Sequence, residues 1–180
     1  MTETPSTTSG PPSLDRAELA STAGERATLE AFLDLYREAV QRKLSGVSEE
    51  DARCRLVPSL TTLGGIVKHL RWVEHSWFQR CLADRPAEGL PPVPWTDDDP
   101  DADFRMEPGE SAEALLAEYE RQCALSRQVS DMHALDHTVP HPHLEQVTLR
   151  WIYVHMIEET ARHAGHADIL REQIDGTTEP

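Results

Sequence analysis

The stretch "LRWIYVHMIEETARHAGHADILREQIDG", residues 149–176, decides how the rest of the chain is read. Leu149, Ile152, Met156, Leu170 and Ile174 recur at spacings that bring each back to nearly the same side of a 3.6-residue helix. That apolar stripe predicts a long helix from about Glu145 to Asp175, stopped at Gly176. Its middle is not apolar: Glu159 and His163 fill the gap between Met156 and Leu170. At roughly 100° per residue with Glu159 at zero, Ile152 and Leu170 lie near +20°, His163 near +40° and Met156 near +60°. His166 and His155 border the same face, at about −20° and −40°. A carboxylate so placed costs several kcal/mol (roughly) unless it is paired or bound to a cation.

Two readings follow from that spacing. Glu159 and His163, four residues apart, can form an internal ion pair completed by an Arg or Tyr from another helix. They can equally offer two ligands to a divalent metal from successive turns. The second reading needs a donor on a facing helix, and "GGIVKHLRWVEHSWF", residues 64–78, offers His69 among Ile66, Leu70 and Val73. The two glycines before it allow close backbone approach, which favours His69 over His75.

Outward from this helix, three more segments carry helical periodicity. Residues 23–45 repeat Leu29, Phe32, Leu33, Tyr36, Val40 and Leu44 at threes and fours and close at Gly46. "SEEDARCRL", residues 48–56, opens with a capping Ser48 and acidic residues, the signature of a short connecting helix. A second long helix spans residues 61–84 and a third begins near Glu110, with Leu115, Leu116, Tyr119, Cys123, Leu125 and Val129 on its face. Between them, residues 86–109 hold six prolines and an acidic cluster, which predicts a long connection over the end of the domain. Trp95 in that connection is placed to lid a pocket. No strand alternation or hairpin turn is evident, so the expectation is an all-α four-helix bundle with one long crossover.

Composition excludes several functions. Asp and Glu number 32 against 17 Lys and Arg, a formal charge of −15, which repels a nucleic-acid backbone and an anionic membrane surface. The N-terminus lacks a basic start with an apolar run, and no stretch approaches the ~18 apolar residues of a membrane span, so a cytoplasmic protein is expected. Cys54, Cys81 and Cys123 are scattered and odd in number, as expected of reduced packing thiols. His133, His137, His141 and His143 lie in a Pro-containing loop where solvated polar roles are the default. Arg162, Asp168, Arg171 and Glu172 read as surface ion pairs.

Residues 25–78 and 149–176 carry a resemblance, extending over about residues 23–176, to the DinB-like superfamily, in particular its "mini-circle protein" branch, which is related to mycothiol-dependent maleylpyruvate isomerases and thiol S-transferases. The resemblance implies a four-helix bundle with one histidine ligand on the second helix and an i,i+4 pair on the last, which carry over to His69, Glu159 and His163. Many members have histidine at the middle position; this chain has Glu159 there, which resembles the mycothiol-using maleylpyruvate isomerases. His-His-Glu is an established three-ligand zinc set that leaves room for water or substrate. The resemblance further implies a divalent metal (zinc, with nickel or iron as alternatives), mycothiol as cosubstrate, an electrophilic second substrate and a homodimer. His155 and His166 stand as supporting or alternative ligands. Residues 1–22 are expected to be a disordered tail, 23–176 the DinB-like bundle and 177–180 a short C-terminal tail. The competing expectation is a non-catalytic bundle that binds a metal or small molecule.

Overall fold

The structure, a computed structural model, describes residues 18, 20–83, 85 and 87–178. Most of the expected N-terminal tail and the last two residues of the chain lie outside these. Helix α1, Glu25–Leu44, precedes the short α2, Glu49–Ala52, whose N-terminal amide of Asp51 donates to the Ser48 hydroxyl. Helix α3, Leu63–Glu74, starts at a Thr62 cap and runs on as a π-helix, His75–Leu82. Helix α4, Ala112–Ser130, and the 27-residue α5, Leu149–Asp175, complete the bundle, and α5 ends on Gly176 with φ at 76° as a left-handed stop. Helix α1 lies along α5, and α3 along α4. The fold is the expected all-α bundle, and no helix among the described residues is long and apolar enough to cross a membrane.

One expectation is corrected. The region read as loop and helix start forms a two-stranded antiparallel hairpin, β1, Thr138–His141, and β2, Glu145–Thr148, with Val139 opposite Val147. Helix α5 therefore begins at Leu149 rather than near Glu145. Glu145 takes the left-handed conformation at φ 59°, where Gly or Asn would have announced the turn. Strands of four residues containing Pro140 and His141 carry too little alternation to be read from sequence.

The apolar core is in two parts. One cluster contains Val40, Leu44, Ile66, Leu70, Tyr119, Ala164 and Leu170; the other contains Leu33, Phe78, Leu82, Leu149, Ile152 and Met156. Along α5, Met156 closes one cluster and Ala164 opens the other, so Glu159 and His163 fall on the seam. Along α1 and α3 the seam is occupied by Arg37 and Glu74. A polar belt thus crosses the bundle between its two apolar halves.

Candidate metal centre

On the α3–α5 side of that belt, the structure brings His69, Glu159 and His163 together. One donor atom from each lies within 4.8 Å of the others. Glu159 Oε1 is 3.2 Å from His69 Nε2 and 3.3 Å from His163 Nε2. His163 is buried, and the side chains of His69 and Glu159 are 14% and 15% exposed, so the cluster reaches solvent along one side only. Two bonds of about 2.0–2.1 Å at a tetrahedral angle separate ligand atoms by roughly 3.3 Å, the spacing that Oε1 keeps from both imidazoles. A small divalent cation suits this donor set.

The residue behind His69 strengthens that fit. Asp103 Oδ2 accepts from His69 Nδ1 at 2.8 Å, so a neutral imidazole presents its Nε2 lone pair to the Glu159 carboxylate. Opposed lone pairs at that distance require a proton or a cation between them. The proton equilibria express the same demand. Burial pulls His69 down, yet its hydrogen bonds with Asp103 and Glu159 hold it above the ordinary imidazole value. Hydrogen bonds from His163 and His69 hold Glu159 well below the usual carboxylate range, against the effect of burial. Nδ1 of His163 is buried with no partner among the described residues, so only one of the two imidazoles is backed by a carboxylate.

Asp103 was not among the residues singled out from sequence. The 86–109 connection does not merely cross the end of the domain: its 3₁₀ turn, Ala102–Phe104, packs against α3. Phe104 stacks on His69, with ring centroids 4.0 Å apart and planes at 16°. The paired glycines make that contact possible. A Cβ on Gly65 would come 2.2 Å from the Phe104 carbonyl oxygen, and one on Gly64 would come 2.0 Å from Met106 Sδ. Lys68 Nζ holds the same segment by donating to the Arg105 carbonyl at 2.7 Å and to Glu110 at 2.9 Å. The signal in the sequence was the apolar Phe104 at the end of "DADF", an anchor within an acidic run.

Other side chains sort by distance from the cluster. Arg162 is exposed, but it is more than a surface pair. Its Nη1 reaches Glu159 Oε2 at 3.3 Å while Nη2 engages Glu158, leaving Oε1 to the imidazoles. Asp168 and Arg171 do form peripheral ion pairs, with Lys43 and Asp175. His166 is exposed and meets His163 edge-on at 5.4 Å. His155 stacks on Trp151 and meets Trp77 edge-on, and burial pulls it below the ordinary imidazole value. Neither His155 nor His166 belongs to the set of converging donors. His141 stacks on Trp77, and His133 on His137, away from the cluster. Of the free thiols, Cys123 is buried, and burial together with the Glu74 charge pushes it far above the ordinary thiol range.

Beside the cluster lies an open cleft of about 390 Å³ whose lining includes His69 and Glu159, with Trp95 from the long connection on its wall. The family profile for mycothiol-S-transferase matches residues 28–176. The chain belongs to the mycothiol-S-transferase family. This family lies within the DinB-like superfamily, in keeping with the bundle and its crossover. No curated relative matches the chain. The mycothiol-S-transferase match spans every element that contributes to the cluster: α3, the Ala102–Phe104 turn and α5.

Proposed function

We propose that the chain is a divalent-metal-dependent mycothiol S-transferase in which His69, Glu159 and His163 hold the metal next to the open cleft. The observation that carries this reading is the convergence of both Nε2 atoms on Glu159 Oε1, with Asp103 fixed behind His69. Zinc is the expected ion; nickel or iron would also accept two imidazoles and a carboxylate. When bound, such an ion lowers the pKa of a coordinated thiol and keeps mycothiol as its thiolate at neutral pH.

The protein's own groups prepare the site. Asp103 accepts the hydrogen bond from Nδ1–H of His69 and so keeps the Nε2 lone pair aimed inward. Arg162 holds one oxygen of Glu159, which leaves the other as a single donor. Phe104 covers the flat face of His69 and limits water on that side. Access for substrates is left along the cleft, whose wall His69 and Glu159 help to line.

The test is conjugation of mycothiol to an electrophile by metal-loaded protein, measured as product formed above the uncatalysed rate. Wild type should accelerate the reaction, and Glu159→Gln should lose about 100-fold or more, because a neutral amide replaces a charged donor. Metal-loaded wild type that neither binds mycothiol nor exceeds the background rate would favour a non-catalytic metal-binding bundle.

A further inference from the structure

We propose that the cleft beside Glu159 selects flat aromatic electrophiles that are uncharged or cationic, and rejects anionic ones. The proposal rests on the reading that His69, Glu159 and His163 form the reacting centre.

Shape and chemistry of the walls lead to it. Trp77 comes from the π-helical end of α3, Trp95 from the long connection, and Phe104 from the turn that covers His69. His155, Val73 and Pro100 extend this ring-rich part of the lining. These rings are already held in place: Trp77 by stacking on His141 and edge contact with His155, and Trp95 by edge contact with Trp72 at 6.2 Å. A planar ring entering such a slot gains stacked and edge-to-face contacts without first ordering the walls.

Charge decides the rest. The acidic groups on the lining are Asp101, Asp103 and Glu159, and no Lys or Arg is among the lining residues. The nearby Arg162 is committed to Glu158 and Glu159. A divalent ion at the cluster offsets Glu159 and Asp103 but leaves Asp101 at the rim, so a carboxylate on the substrate's outer edge meets like charge, with no Lys or Arg on the walls to receive it. A chloronitroarene is one such electrophile. The thiol gives its proton to solvent, its sulfur forms the bond to the ring carbon, and chloride leaves with the electron pair of the broken C–Cl bond.

The experiment uses two unreactive probes of one shape, 1,3-dinitrobenzene and 3,5-dinitrobenzoate, titrated into the full metal-loaded chain by quenching of tryptophan fluorescence. The neutral probe should bind about tenfold or more tighter than the carboxylate. Trp95→Ala and Trp77→Ala should each weaken it about fivefold. Asp101→Lys, a change on an exposed residue, should narrow the gap between the probes. Equal or tighter binding of 3,5-dinitrobenzoate, or a neutral-probe affinity unmoved by both tryptophan variants, would overturn the proposal. Thiol transfer is not read in this titration. Selective binding without conjugation would count against the proposed function alone, and conjugation without selective binding against the cleft alone.

Discussion

Two polar clusters share the seam between the apolar halves of the bundle, and they are built on opposite plans. On the α1 side, Arg37 donates to both oxygens of Glu74 at 2.7 and 2.8 Å and to Asp34 at 2.9 Å, while Arg127 reaches Asp34 at 2.7 Å. Two guanidiniums face two carboxylates, and Glu74 is 0% exposed. That network is complete: each charge has its partner within the protein. On the α3–α5 side, Glu159 and Asp103 face two imidazoles, and the guanidinium of Arg162 is shared with Glu158. The second cluster has no guanidinium or ammonium of its own at the point where its donors converge. The contrast shows that burial of ionisable groups does not by itself mark a functional site. An unmet demand for charge, open to a cleft, is what sets the proposed metal centre apart.

The comparison can be broken at either cluster. The largest effect is expected from Glu74→Ala, which strands Arg37 in the core. Stability should fall by about 3–5 kcal/mol in a denaturant titration of metal-free protein. A loss below about 0.5 kcal/mol, typical of a surface change, would mean that the first network is not the closed structural unit described. A smaller effect, of a different kind, is expected from Asp103→Ala. Metal affinity, read by competition with a chromogenic chelator, should drop roughly 10–100-fold, with Asp103→Asn falling between variant and wild type. The stability of the metal-free protein should change by less than about 1 kcal/mol. An unchanged affinity would mean that Asp103 does not orient His69.

How far the sequence announced all this depends on how each element is made. The α5 stripe was legible because Leu149, Ile152, Met156 and Leu170 obey one helical period over more than five turns, and all four are buried. The same periodicity made Glu159 and His163 conspicuous as exceptions, and the Gly64-Gly65 pair pointed to His69. Phe32 marks a limit of the method: it fits the α1 period yet is 39% exposed. The hairpin was hidden because its turn depends on a left-handed Glu145. Asp103 and Phe104 were hidden for a deeper reason. Their segment meets α3 across thirty-odd residues of chain (roughly), and local pattern carries no information about which distant backbone a glycine admits. Arg37 and Glu74 were missed as a pair on the same ground, since each is an unremarkable charge within its own helix.

The central claim is that the second cluster is completed by a metal ion, and elemental analysis of purified wild type and His163→Ala tests it most directly. The account predicts about one equivalent of zinc, nickel or iron per wild-type chain and loss of most of it in His163→Ala. Metal-free wild type that cannot be loaded with any of the three ions, or an equivalent retained by His163→Ala, would contradict it.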